Sequence, residues 1–179
     1  MAIDAFLRFT DCGKAVAIEG ESQDKTFGKS PKAFELQKWS FGAANTATIG
    51  SASGGAGAGK AEFDPFVVTK TVDQATPKLF LTSCLGGHYK QASLFIRKSG
   101  GSQTDSGTVY VQWDFKMVFI EKMQWSSGDD APTEDITFRY GAIQFTYTPQ
   151  MSSGGQGKQQ MSSWSQILND NEFDVPDPT

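Results

Sequence analysis

The stretch TVYVQWDFKMVFI, residues 108–120, decides the fold class. Its odd-numbered positions from 109 onward are all apolar: Val109, Val111, Trp113, Phe115, Met117 and Phe119. Successive side chains of a β-strand point to opposite faces of the sheet. The period of two therefore predicts one long strand with a single face on the core.

A second stretch, DITFRYGAIQFTYTP at residues 135–149, alternates in the same way but contains a break. Apolar side chains fall on even positions before Gly141 and on odd positions after it: Ile136, Phe138 and Tyr140, then Ile143, Phe145 and Tyr147. A shift of one residue beside a glycine predicts a bulge or a sharp bend, the device that curls sheets into barrels.

Strand patterns also cover much of the remaining chain, at residues 5–9, 16–22, 33–44 and 93–98. Between the patterned segments lie stretches without periodicity, which we expect to be loops: residues 48–60, 99–108 and 126–133. We find no internal repeat. The order of elements predicts a mainly β domain, either a barrel or a sandwich.

One segment, TPKLFLTSCL at residues 76–85, predicts a short helix over about 77–85. Thr76 suits the N-cap, Pro77 suits the first helical position, and Gly86-Gly87 supplies the stop. The stripe that we expect to lie on the sheet contains Leu79, Phe80, Ser83 and Cys84.

Length and composition indicate one domain with a sizeable core, since the 179 residues include 14 Phe, 4 Trp and 4 Tyr. The net charge of −4 and the pI near 5.0 argue against a general nucleic-acid binder. The start, MAIDAFLRFTDC, lacks the apolar core of a secretory signal peptide, and no apolar stretch approaches a membrane span. We therefore expect synthesis in the cytoplasm without stable membrane insertion.

The loop TIGSASGGAGAGKAEF, residues 48–63, contains the skeleton of a phosphate-binding P-loop at Gly54, Gly59 and Lys60. Ala61, however, occupies the position of the hydroxyl that binds Mg²⁺ in such loops. Asp64-Pro65 then disfavours the helix that should follow. We therefore predict an exposed, flexible loop between two strands in place of a nucleotide site.

Other candidates for chemistry are sparse. His88 is the single histidine, and without a second ligand cluster we expect it to be structural. The carboxylate pairs Asp129-Asp130 and Glu134-Asp135 are expected to face solvent or to cap a helix. Cys12 and Cys84 show no metal-ligand spacing, so buried free thiols are expected, although a disulfide is also compatible with the sequence. We predict no catalytic residue, no metal site and no cofactor.

Several segments, in this order, resemble a known family, the haemolysin-coregulated proteins (Hcp) of bacterial type VI secretion. They are IEGESQDKTF, QKWSFG before the Gly-rich loop, FVVTKTVDQATPKLFLTSCLGGHYKQASLFIRKSGG, and ITFRYGAIQFTYTP. The resemblance extends from Met1 to about Tyr147, and more weakly to SSWSQILNDN near the C-terminus.

The resemblance implies a small β-barrel of two curled sheets with one short flanking α-helix, assembling as a hexameric ring. It implies that rings stack into a tube, which a contractile sheath drives out of the cell behind a VgrG-type spike. Small effector proteins would ride in the lumen, where the subunit acts as their chaperone. It implies no enzyme activity and export without a signal peptide.

The resemblance also divides the chain into residues 1–150, the Hcp-like barrel domain, and residues 151–179, a C-terminal segment. That segment begins as a Gly/Ser/Gln linker, carries an apolar patch at Trp164, Ile167 and Leu168, and ends in an acidic tail that we expect to be solvated and flexible. Thr26-Phe27 stands where many relatives have a histidine, which is a departure from the family pattern.

Two candidate assembly sites follow from these considerations. Residues 48–60 are expected to form an arm that docks on the next ring, through Ile49, Gly54, Gly55, Gly57, Gly59 and Lys60. Ser40 is expected to face the lumen, because alternation places it opposite Trp39 and Phe41.

A β-sandwich module that binds carbohydrate, or an adhesin-type module, is the alternative interpretation. Its support is the aromatic content, including Trp113 and Trp125. Packing in a core explains these side chains equally well.

Overall fold

The computed structural model describes residues 3–45, 60–98, 107–128, 130–151 and 155–176. Within these ranges the chain forms ten strands and one helix. In chain order they are β1 (Ile3–Asp11), β2 (Phe34–Glu35), β3 (Lys38–Ser40), β4 (Ala43–Asn45), β5 (Ala61–Phe63), β6 (Phe66–Thr71), α1 (Thr76–Leu85), β7 (His88–Lys98), β8 (Thr108–Ser126), β9 (Thr133–Tyr147) and β10 (Gln160–Ser165). The mainly β fold with one short helix is confirmed.

One antiparallel sheet contains most of the strands, in the order β2-β1-β7-β8-β9-β6-β3. Strand β9 is long enough to serve two neighbours on one side: its first half pairs with β6 and its second half with β10. The two remaining strands, β4 and β5, form a separate two-stranded ribbon.

The segment 34–40 closes this sheet into a barrel, because it pairs with both ends of the strand order. Phe34 and Glu35 pair with β1, and the Leu36 amide donates to the Ala5 carbonyl at 2.9 Å. The next amide, that of Gln37, donates to the Thr69 carbonyl of β6 at 2.9 Å, and β3 continues this pairing. We call residues 34–40 the closing segment.

Aromatic side chains fill the barrel interior. Phe66 stacks on Phe115 with 4.6 Å between ring centroids, and Tyr140 meets Phe115 edge-on at 4.9 Å. All three rings are buried, together with branched aliphatic side chains of β1, β6, β7, β8 and β9. Burial of such large apolar side chains is the main term that stabilises the barrel.

On three neighbouring strands, the alternation of inward and outward side chains shifts by one residue. The three shifts lie side by side at one level across the sheet. Each strand has two consecutive outward residues between two that reach the core: Lys90–Gln91 between Tyr89 and Ala92, Lys116–Met117 between Phe115 and Val118, and Gly141–Ala142 between Tyr140 and Ile143. The strand registers are the same on both sides of this level. We call this transverse feature the crease.

The crease refines one prediction and corrects another. The parity shift at Gly141 is a sharp bend shared by β7, β8 and β9. The expectation that Met117 and Phe119 continue the core face of β8 is wrong, because Val118 and Ile120 are the buried residues there. Met117 adopts a left-handed backbone with φ 56°, which turns the strand over at this point.

Helix α1 has the predicted bounds but not the predicted cap or stripe. Ala75 is the N-cap residue and makes no side-chain capping bond, while Gly86 ends the helix with φ 65°. The buried side chains are Thr76, Leu79 and Thr82. Phe80, expected against the sheet, is 51% exposed, because the helix is rotated so that Thr76 reaches a polar cluster described below.

The strand predicted at residues 16–22 is absent from the described structure. The segment from Ile18 to Ala33 instead runs as irregular chain over the outside of β1 and β7. It buries Phe27, which stacks on Phe6 of β1 at 4.2 Å and contacts Phe95 of β7. The outer face of the barrel thus has a small apolar core of its own.

Candidate assembly surfaces

The outer face of α1 is apolar although it points away from the barrel. Phe80, Leu81 and Leu85 are 51%, 47% and 71% exposed. Trp125, at the end of β8, adds a half-exposed ring whose centroid lies 5.9 Å from that of Phe80. We call these four residues the helix patch. Grouped apolar side chains on a surface are typical of interaction sites.

The root of α1 is fixed by a buried ionic cluster around Glu134. Lys70 Nζ lies 2.7 Å from Glu134 Oε1 and 2.9 Å from Asp73 Oδ2. Thr76 Oγ1 donates to Glu134 Oε1 at 2.8 Å, and Trp125 Nε1 donates to Oε2 at 2.9 Å. The expectation that Glu134 faces solvent or caps the helix is wrong, since it is fully buried and three polar partners, Lys70, Thr76 and Trp125, compensate its charge.

The irregular segment outside β1 and β7 is held by Arg97. Its guanidinium pairs with Asp24 at 2.7 Å and Asp4 at 3.0 Å, and lies 4.8 Å from the ring centroid of Phe6. Burial alone would raise the pKa of Asp24, but donors from the backbone of Phe27, from Arg97 and from other groups outweigh it and hold this pKa below its usual value.

The base of the β4–β5 ribbon is anchored to the barrel and to the C-terminal segment. Phe63 stacks on Tyr140 with 5.5 Å between ring centroids, and the Tyr140 hydroxyl donates to the Asp64 carbonyl. Burial raises the pKa of Tyr140, and the nearby Asp64 raises it further. Gln166 accepts from the Phe63 amide and donates to the Tyr140 carbonyl, so one side chain joins ribbon, barrel and C-terminal segment.

The predicted arm lies mostly outside the described residues. The residues that lie outside the described ranges include five of its predicted contact residues: Ile49, Gly54, Gly55, Gly57 and Gly59. Lys60 is described and exposed, directly before β5. Of the predicted arm, the structure therefore describes Lys60 alone.

Ser40 ends β3, opposite Val67 of β6, and is exposed. Trp39 and Phe41 contact each other and both contact Trp113, which places the two rings on one side of the segment, as alternation predicted. Trp113 stacks in turn on Phe145 at 5.2 Å. Phe145 is 40% exposed, so this aromatic row runs from the core to an open end of the barrel.

His88 and the cysteines have ordinary surroundings. His88 pairs with Phe119 across β7 and β8, with 5.1 Å between ring centroids. Both cysteines are free thiols, but Cys84 is exposed and Cys12 is half-buried, so the expectation of two buried thiols is wrong. In the described part of the chain, no group of three or more His, Cys, Asp or Glu is placed to hold a metal ion.

Comparison of the sequence and the structure with known proteins supports the barrel fold described above. Residues 6–147 match the family model described as type VI secretion system effector, Hcp. The chain belongs to the Hcp family. Its members are secreted proteins of type VI secretion, and the match spans the whole barrel from β1 to the end of β9.

Individual relatives extend the agreement over most of the chain. Protein hcp1 of Pseudomonas aeruginosa is 32% identical over 158 residues, which is 87% of this chain and 90% of that protein. The solved structure of a type six secretion system protein has a TM-score of 0.80 at 28% identity, covering 96% of this chain and 100% of the other. Hcp1 from Salmonella typhimurium shares the fold, with a TM-score of 0.70 at 22% identity over 96% of this chain and 100% of its own.

The helix content bears on membrane insertion in one respect. Among the residues that the structure describes, no helix combines the length and the apolar character needed to cross a membrane.

Proposed function

We propose that this Hcp-family chain is a structural subunit of a type VI secretion tube, with no enzymatic activity. Six copies form a closed ring, and rings stack into a tube that a contractile sheath exports behind a VgrG-type spike. The subunit is made in the cytoplasm and leaves the cell through this machine. Small effector proteins travel in the lumen of the ring, which acts as their chaperone.

The helix patch is the observation that carries the ring proposal. Most strand edges of the barrel are paired, because the closing segment joins β1 to β6. A large apolar surface nevertheless remains exposed at Phe80, Leu81, Leu85 and Trp125. A neighbouring copy that covers this surface would remove it from water, and ring closure does so for every subunit in turn.

Strand contacts between neighbours are also available. Among the described residues, β9 is the only strand that pairs with β10, and on the other edge Asp170 bridges to Ser165 alone, so that edge has no strand partner along residues 160–164. An open edge is a ready site for pairing with another chain. The ring is therefore expected to combine the helix patch with strand edges that the barrel leaves unpaired.

The arm and Ser40 complete the proposal. Residues 48–60 would leave the barrel beside the β4–β5 ribbon and dock on the next ring, with Lys60 at the base of the arm as a solvated or ring-facing charge. Ser40 would line the lumen, because it is exposed and alternation along the segment places it opposite Trp39 and Phe41, whose rings pack together.

Native mass spectrometry of the purified protein tests the ring directly. We expect six times the chain mass at tens of micromolar protein in moderate salt, and electron microscopy should then reveal rings. Leu85→Asp should shift the mass to the monomer, while Met151→Asp, at a comparably exposed apolar residue outside the helix patch, should keep the hexamer. A monomeric mass for the unmodified chain would overturn the proposal.

A further inference from the structure

The crease is occupied by the chain's own C-terminal end. After β10 a tight turn, in which the Ser165 amide donates to the Asp170 carbonyl, sends the chain back over the outside of the sheet. Ser163 Oγ of β10 donates to the Asn171 carbonyl at 2.6 Å. From there residues 171–176 cross toward β8 and β7. We call residues 171–176 the strap.

The strap contacts the crease through alternate residues. Phe173 and Val175 are half-buried, while Glu172 and Asp174 are exposed, which is the pattern of an extended peptide lying on a surface. The Lys116 ammonium lies 4.9 Å from the centroid of the Phe173 ring and pairs with Asp174. One lysine thus holds an aromatic ring and a carboxylate of the strap.

Beyond Phe173 the strap fills its groove only in part. A groove of about 300 Å³ remains beside Val175, and it is lined by Asp11, Lys90, Gln91, Lys116, Met117 and Val175. The side chain of Asp174 is 89% exposed, so its pairing with Lys116 contributes little to holding the strap. The site therefore has room for a bulkier side chain than valine.

The backbone at the floor of this groove is strained. Met117 is one of two described non-glycine residues with positive φ. Such a conformation is energetically unfavourable at a non-glycine residue and is concentrated at binding sites. Here it presents the Met117 side chain to the groove on the outer face, next to Lys116.

We propose that the crease is a docking groove for an extended acidic segment of a partner protein, and that the strap is its resident stand-in. The ligand class is a peptide with an aromatic side chain over Lys116, a carboxylate beside it, and a large apolar side chain two residues after the aromatic one. The rim of the groove carries two lysines, Lys90 and Lys116, and one aspartate, Asp11. This balance of charge favours an acidic peptide. The partner's segment displaces the strap, which is tethered and therefore competes at high effective concentration.

Methionine methyl resonances of the full chain test this proposal, since Met117 lies in the groove and Met161 is exposed on β10. The probe is a synthetic peptide with the sequence of residues 169–176 in which Val175 is replaced by Trp. In the Phe173→Ala chain, whose strap has lost its aromatic contact, we expect the peptide to shift the Met117 methyl and to leave Met161 in place. The unmodified chain should need about tenfold more peptide, because its strap competes.

The decisive control changes the lysine that reads the ligand. Lys116→Gln in the Phe173→Ala background should abolish the Met117 shift, whereas Lys122→Gln, at an exposed lysine of the same strand, should preserve it. Thermal unfolding establishes that each variant is folded. The proposal is overturned if millimolar peptide leaves Met117 unmoved in the Phe173→Ala chain, or if the shift survives Lys116→Gln.

Discussion

Lys70 and Glu134 form an ion pair of 2.7 Å inside the protein, with side chains only 3% and 0% exposed. The pair links β6 to β9 at the point where α1 begins. Glu134→Ala removes the closer of the two carboxylates that pair with the buried Lys70 and leaves Asp73 as the other, so it should lower the free energy of unfolding by up to about 3–5 kcal/mol, the range for a broken buried ion pair. Urea denaturation at fixed protein concentration measures this loss.

The matched control for that variant is Glu121→Ala. Glu121 pairs with Arg139 at 3.0 Å, but both side chains are about half exposed. A surface pair of this kind contributes less than about 1 kcal/mol. Equal losses for the two variants would contradict the buried role of Glu134.

Gly141 and Ile167 are in close contact where the C-terminal segment crosses β9. A Cβ atom at position 141 would lie 2.5 Å from Ile167 Cδ1. Gly141→Ala should therefore push the end of the half-exposed Ile167 side chain aside, at a cost of about 1 kcal/mol, the low end of overpacking losses. Combining it with Ile167→Ala should recover part of the loss, which a double-mutant cycle detects as a coupling between the two sites. If the stability losses of the two single variants are strictly additive in the double variant, Ile167 does not contact Gly141 at the crease.

Asp24 predicts the pH dependence of the segment that covers β1 and β7. Its folded-state pKa lies below the ordinary value of 3.8, so the ionised carboxylate stabilises the fold at and above that pH. This contribution is lost as the pH falls through the lowered pKa. The stability difference between the unmodified chain and Asp24→Asn should thus be largest near neutral pH and shrink in acid.

The arm can be tested separately from the ring. Replacing Ser51–Gly59 by a two-residue turn should leave the hexamer intact, because the helix patch and β10 lie elsewhere. Stacking of rings into tubes should be lost, which electron microscopy measures. Secretion of the subunit and of the effector should fall. Loss of the hexamer itself would assign the arm to contacts within the ring, and normal stacking would remove it from assembly.

Lys60 tests the resemblance of this loop to a P-loop. Calorimetry should detect no binding of ATP, since Ala61 lacks the hydroxyl that would hold Mg²⁺. Lys60 is exposed, so Lys60→Ala should change the free energy of unfolding by less than about 0.5 kcal/mol. Micromolar ATP binding that disappears in this variant would refute the expectation.

Local pattern predicted the elements well where one physical signal dominated. The period of two identified β8 and β9, and Pro77 with Gly86 bounded α1. The rotation of α1 was mispredicted because it depends on Thr76 reaching Glu134, 58 residues further along the chain. No local pattern records such a contact, and a glutamate in a polar stretch is usually at the surface.

The same limit applies to the sites. Gly141 predicted the bend in β9. The matching bends at Lys90 in β7 and Met117 in β8 contain no glycine, so no sequence pattern predicted them. The acidic end that begins at Asn169 was expected to be solvated, and in its described part Phe173 and Val175 of the strap are half-buried. Its alternation of Phe173 and Val175 with carboxylates was a signal, too short to separate from an acidic tail.

The closing segment has a further consequence if the chain assembles into a polymer, as proposed above. A free β1 edge or β6 edge would each template the addition of strands from any nearby copy, in any order and at any stage of synthesis. Residues 34–40 occupy both edges within a single chain. Disordered aggregation by those edges is thereby blocked in the monomer, and growth is left to surfaces that only a correctly folded barrel presents.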